Sequence, residues 1–233
     1  MSTDTAVRRP NATLRHELAA AARRLALPAA VVAAVMALLG LLVAQVLGPS
    51  WLGREELGID RELAGDRTPT GNAVTGFVTN LASTPTIIAL TAIAAVLCRI
   101  AFHRWREALF VVLAVVGETA IFTLTTLLVD RDRPTVPKLD EAPPTSSFPS
   151  GHTAAAICFY GAIAAIVLWR YRAAVLRVIV VALAVLIPLA VAASRLYRGM
   201  HFPSDVLGGV LLGIAWLTLV TRNVLHRDEE PLP

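Results

Sequence analysis

Six stretches of this chain are long and apolar enough to cross a bilayer, at about 28–47, 85–102, 107–129, 153–169, 174–193 and 205–220. About 20 apolar residues span the hydrocarbon core as a helix. Lipid offers no hydrogen bonds to exposed backbone, so each stretch must be helical. A chain of 233 residues that is 56% hydrophobic and only 16% charged has too little polar surface for one soluble domain. The expected fold is all-α, a polytopic six-transmembrane-helix bundle without internal repeats. Its domains follow from the spans: an N-terminal tail over 1–27, one membrane domain over 28–222 and a C-terminal tail over 223–233.

The first span follows Arg23-Arg24 and resembles a secretion leader in composition. Its apolar run is longer than a leader core, and no small-x-small cleavage pattern precedes Trp51, so it is read as a retained span. Cytoplasmic loops carry the excess of Lys and Arg. With the N-terminus inside, 13 of the 21 basic residues fall on the cytoplasmic side and eight on the other. Both termini are therefore expected in the cytoplasm. The net charge of +4 is spread along span flanks and forms no stripe, which argues against a nucleic-acid partner. All basic residues but Lys138 are arginine, and with abundant alanine, valine and proline this points to a GC-rich bacterial source and an inner (plasma) membrane location. Cys98 and Cys158 lie inside apolar helices and read as small buried hydrophobes, with neither a disulfide nor a metal in view.

The three loops expected outside are 48–84, 130–152 and 194–204. The first mixes Glu55, Glu56, Asp60, Glu62 and Asp66 with Leu52, Leu57, Ile59 and Leu63. It reads either as a short amphipathic helix at the headgroup level or as a solvated connection. Five prolines between Pro134 and Pro149 predict an extended, mobile segment. His152 and His201 fall outside together with Arg131, Arg133, Arg195 and Asp205, whereas His16, His103 and His226 fall inside. Hydropathy and charge alone therefore collect every candidate for chemistry at one face.

Those residues suit phosphoryl transfer, which needs positive charge around the equatorial oxygens, an in-line nucleophile and a proton for the leaving oxygen. Arg133 and Arg195 offer planar forks that match a phosphate. Ser150 and Gly151 precede a helix whose free amides and dipole favour an anion, and glycine leaves room for close approach. His201 and Asp205 are four apart, with Pro203 at a first helical position. That spacing lets the carboxylate fix the imidazole tautomer and free the other nitrogen for attack. His152 is then available to protonate the departing alkoxide. Within the spans, Gly209 and Gly213 predict close helix packing, Pro188 a kink, and Glu118 either a proton relay or a buried packing group.

The pattern Arg133-Pro134, then Pro149-Ser150-Gly151-His152, then Ser194-Arg195-x5-His201-x3-Asp205 resembles the three-part signature of the type 2 phosphatidic acid phosphatase superfamily. That superfamily includes lipid phosphate phosphatases, bacterial undecaprenyl pyrophosphate phosphatases, glucose 6-phosphatase and vanadium haloperoxidases. The resemblance covers about residues 70–220. It implies a six-helix phosphatase with an extracytoplasmic site and neither metal nor other cofactor. His201 would be the nucleophile, Asp205 its support and His152 the general acid, with Arg133, Arg195, Ser150 and Gly151 on the phosphate. The implied partners are a lipid phosphate substrate and the bilayer; an oligomeric state is not implied. One position departs: the family's first motif opens with lysine seven residues before Arg133, and here that residue is Thr126. Either Arg131 reaches in as the replacement, or the site is weakened. The same phosphohistidine could pass its phosphoryl group to an acceptor other than water. A non-catalytic transporter or scaffold is the alternative from outside enzymology.

Overall fold

A computed structural model describes residues 14–225, and all regular structure among them is helical. The six spans are α1 (Leu14–Leu42), α4 (Thr84–Phe102), α5 (Arg106–Leu128), α6 (Gly151–Arg170), α7 (Ala174–Tyr197) and α8 (Pro203–Val220). Two shorter helices, α2 (Trp51–Gly65) and α3 (Pro69–Asn80), join α1 to α4, and single π-helical turns extend α1 to Leu47 and α8 to Leu225. The chain is thus an all-α polytopic membrane protein. Residues 1–13 and 226–233, including His226, lie outside the described residues.

Helix α1 begins 14 residues before the expected first span, because Ala19–Ala22 and their neighbours are strong helix formers and the helix runs on through Pro28. Residues 14–27 of the expected tail are therefore continuous with the first span. Helices α5, α6 and α8 form the centre. Ala154, Cys158 and Ala162 on α6 and Leu212, Trp216 and Val220 on α8 recur every fourth residue and meet Phe110, Val111 and Ala114 of α5. In lipid, close packing has to supply what the hydrophobic effect supplies in water. Gly213 provides it, since a Cβ there would lie 2.8 Å from that of Ile157. At Gly209 a Cβ would run into the Ser150 carbonyl, so this glycine sets the approach of α8 to the start of α6.

Helix α7 is peripheral and exposes Val178, Leu186 and Leu189; it passes through buried Pro188 without a break. Glu107, fully buried at the start of α5, is gripped by Arg104 and by Arg170 from the end of α6. Around it Arg99 and Arg170 stack on Trp105 and Trp169, an arginine–aromatic girdle of the kind that settles at a membrane interface. Glu118 is buried, with one oxygen 3.3 Å from the Thr119 hydroxyl of its own helix and the other without a partner among the described residues. Cys98 and Cys158 are buried free thiols.

The two connections at the opposite end are both structured. Segment 48–84 forms two helices, and α2 turns Glu56 and Asp60 inward rather than toward headgroups. The proline-rich segment is extended but held. Its Phe148 ring packs over Gly40 and Gly208, Ser147 N–H donates to the Arg131 carbonyl at 2.9 Å, and Leu139 N–H donates to the Arg198 carbonyl at 3.1 Å. Buried side chains and backbone bonds on both flanks remove the mobility that its composition suggested.

Candidate active site

The start of α6, the end of α7, the start of α8 and segment 129–150 meet at one end of the bundle, beside α2 and α3. From Val129 to Arg133 the chain is extended, so successive side chains alternate. Val129 and Arg131 are buried and Arg133 half-buried, while Asp130 and Asp132 are exposed. The two aspartates therefore point away from the arginines that flank them. A sharp turn at Gly199, whose φ is +69°, carries the chain from α7 to His201; a Cβ there would lie 2.7 Å from Val136 and 2.9 Å from Arg67.

His201 is 4% exposed. Its Nδ1 sits 2.8 Å from the Ser147 carbonyl and 3.8 Å from Asp205 Oδ2. A carbonyl can only accept, so Nδ1 carries the proton and Nε2 presents a lone pair. Tautomer control thus belongs first to Ser147, and Asp205 acts through charge at slightly longer range. Burial pushes the imidazole below its ordinary value, Asp205 pulls it back up, and Arg195 and Arg133 push it down again. The outcome is a ring that stays neutral, as a nucleophile must. Asp205 itself is the third residue of α8 and accepts from the Phe202 amide at 2.9 Å, closing the helix start, while its carbonyl accepts from Ser150 N–H at 2.9 Å. That second bond ties the start of α6 to the start of α8.

Three guanidiniums converge nearby. Arg195 Nη1 donates to Thr79 of α3 and to Asp140, each at 2.8 Å, and its Nε is buried without a partner among the described residues. Arg198 grips Asp140 through Nε and Nη2. Arg133 donates to the Met200 carbonyl at 2.8 Å, and its Nε is likewise buried and unpartnered. Burial lowers the Arg133 pKa against an opposing pull from Asp205. Burial raises the Asp140 carboxyl, but hydrogen bonds from Arg198 and the charges of both arginines outweigh it and hold the group below its usual range. Arg195 and Arg198 share one carboxylate, Arg133 bonds only a carbonyl, and two N–H donors are left orphaned, so the pocket is short of negative charge. His152 has no hydrogen-bond partner among the described residues and lies within electrostatic reach of Arg195, His201, Asp140 and Arg133.

The structure brings His152, His201, Asp205, Arg133, Arg195 and Ser150 together and places Arg131 and Gly151 differently from the reading of the sequence. Arg131 does not turn to the anion pocket: Nη2 donates to Glu56 at 3.0 Å, Nη1 to Ser204 at 2.8 Å and to Asp205, and its guanidinium lies 4.5 Å over the Phe202 ring. It cannot replace the family lysine while two carboxylates hold it. At Gly151 a Cβ would meet Phe122 at 2.9 Å, so the missing side chain makes room for that ring, while the amides opening α6 remain free of intrahelical acceptors. The Ser150 hydroxyl pairs with Thr153 at 3.0 Å. Thr126 bonds back to the Thr123 carbonyl of its own helix and brings no cation.

Ser147, Asp140, Arg198 and Glu56 went unread. Arg198 left a signal, lying three residues after Arg195 and hence on the same helical face.

Two solved structures share the fold. A transmembrane PAP2-type phosphatidylglycerolphosphate phosphatase from Bacillus subtilis aligns with a TM-score of 0.75 at 24% identity, covering 86% of this chain and 98% of its own. Aquifex aeolicus LpxE aligns with a TM-score of 0.55 at 24% identity, covering 71% and 94%. No curated protein sequence matches the chain. Residues 107–229, more than half of the sequence and the part that holds every motif above, match the family profile of the PAP2 superfamily, and the chain belongs to that superfamily.

Proposed function

We propose that this protein is a membrane phosphatase that hydrolyses a lipid phosphate or pyrophosphate, phosphatidate-like or undecaprenyl pyrophosphate, at the extracytoplasmic face through a phosphohistidine. The observation that carries the reading is the neutral, Nδ1-protonated His201 beside orphaned donors of Arg133 and Arg195. Nε2 of His201 attacks phosphorus while the bond to the lipid oxygen breaks, and His152, which takes up a proton as the phosphate anion binds beside it, gives that proton to the leaving oxygen. Water then attacks the phosphohistidine, His152 takes its proton, and inorganic phosphate leaves. Charge is neutralised by Arg133, Arg195, Arg198 and the α6 amides, which gives the arginines the part a metal ion plays elsewhere.

An apolar cavity of about 350 Å³ between α2, α3 and α7, lined by Leu63, Val74, Val78, Ala190, Ala193 and Tyr197, favours a lipid over a soluble phosphate. It reaches Ser194, next to Arg195, and lies above lipid-facing Leu186 and Leu189. One acyl or prenyl chain would lie there with its headgroup at the arginines. The purified protein should release phosphate from lipid phosphates in the presence of chelator, be inhibited by vanadate and be inactive as His201→Ala. Turnover that persists in that variant overturns the nucleophile assignment, and loss of turnover in chelator overturns the metal-free mechanism.

A further inference from the structure

Helix α2 contributes a buried carboxylate that the phosphatase reading does not use. Glu56 is 6% exposed. Its Oε1 accepts from the Ser204 amide at 2.6 Å, and its Oε2 accepts from the Ser204 hydroxyl and from Arg131 Nη2, each at 3.0 Å. Arg131 continues to Asp205, and Asp205 faces His201. One unbroken series of contacts therefore runs from α2 to the imidazole. We propose that Glu56 is a positioning residue for the nucleophile: with Ser204 it holds the Arg131 guanidinium beneath Asp205 and so sets the charge that His201 feels. This rests on His201 as nucleophile.

The electrostatics give the proposal its sign. Arg131 is shared by two carboxylates, so Glu56, Arg131 and Asp205 together leave one negative charge under the imidazole. The remaining titratable neighbour on α2 is Asp60, also buried. Its pKa is pushed up to about 7 by burial and by Glu56 and Asp205, against Arg131. Across the ring, His201 faces Arg195 and Arg133, and His152 lies within its field. Without the charge of Glu56, Arg131 neutralises Asp205 alone and the imidazolium is favoured less. Without Arg131, two carboxylates act unopposed and it is favoured more.

The test titrates the imidazole of full-length protein in detergent by NMR of labelled histidine, with the His201 resonance identified by its loss in His201→Ala. Glu56→Gln should lower the midpoint by about one pH unit, the order of effect that one unit charge exerts at about 10 Å with an effective dielectric of about 20. Arg131→Gln should raise it, and Glu56→Asp should restore the parent value. The acid limb of kcat/KM should follow with KM changed less than about twofold. Loosened packing alone would move both variants the same way or neither, and either outcome overturns the proposal. If Glu56→Gln does not fold, the upward shift in Arg131→Gln decides. Turnover surviving in His201→Ala would sink the nucleophile reading instead, while the titrations would still judge Glu56.

Discussion

Asp205→Asn separates the two ways in which a residue can support a histidine nucleophile. In a triad where the carboxylate alone fixes the tautomer, the corresponding change reverses the ring's protonation and costs about 10⁴-fold. Here the Nδ1 proton is held by the Ser147 carbonyl at 2.8 Å, and Asp205 Oδ2 stands off at 3.8 Å. Asparagine keeps the volume and can still accept from the Phe202 amide, so the helix start survives, while its NH2 then faces Arg131 and that ion pair is lost together with the charge. Two unit charges about 4 Å apart interact by about 4 kcal/mol at an effective dielectric of 20. Arg131 already offsets part of this. The expected loss in kcat/KM is therefore about 10²–10³-fold, with Nδ1 still protonated. Phosphate release gives the rate, and nitrogen chemical shifts of the labelled imidazole give the tautomer. A proton found on Nε2 in the variant, or a loss of about 10⁴-fold or more, would refute the assignment of tautomer control to Ser147.

Four further outcomes follow from the same contacts. The acid limb of kcat/KM should lie below the ordinary imidazole value of 6.5, because burial and two arginines depress His201 and it stays a competent base until the pH falls through its lowered pKa; a limb above that value would contradict this. Arg195→Lys keeps one charge and can stand in for Nη1 at Thr79 and Asp140, but it loses the unpartnered Nε donor left for a phosphate, so kcat/KM for a lipid phosphate should fall about 10²–10³-fold with the fold intact by circular dichroism. Thr126→Lys should raise kcat/KM, since Arg131 is committed to Glu56 and Asp205 and leaves the family position without a cation; a fall would show the pocket rebuilt around another group. Ala193→Trp fills the apolar cavity and should raise KM for long-chain lipid phosphates while sparing a short-chain soluble analogue, with equal effects on both arguing against a chain-binding groove.

How far the sequence could be read depended on the range of the interaction concerned. The spans were legible because a bilayer imposes length and polarity on each helix separately, and five of the six begin and end within four residues of the apolar runs, extensions by π-helical turns aside. The motif residues other than Arg133 were legible because they sit at or beside a helix end whose local chemistry is its own argument. What escaped reading was supplied from elsewhere: the carbonyl of Ser147 to His201 across 54 positions, Asp140 to Arg195 across 55, and Glu56 to Arg131 across 75. A backbone carbonyl has no residue-type signature, and a proline-rich segment looks mobile until its buried Phe148 is placed. Helix α2 did carry a clue. Glu56 and Asp60 are four apart, so they share a stripe, and like charges at that spacing destabilise a solvated helix. Burying that stripe is worse unless a cation meets it. An amphipathic helix with paired acids therefore implied a facing arginine, and Arg131, flanked by outward aspartates in an alternating segment, was the candidate whose own position asked for a partner.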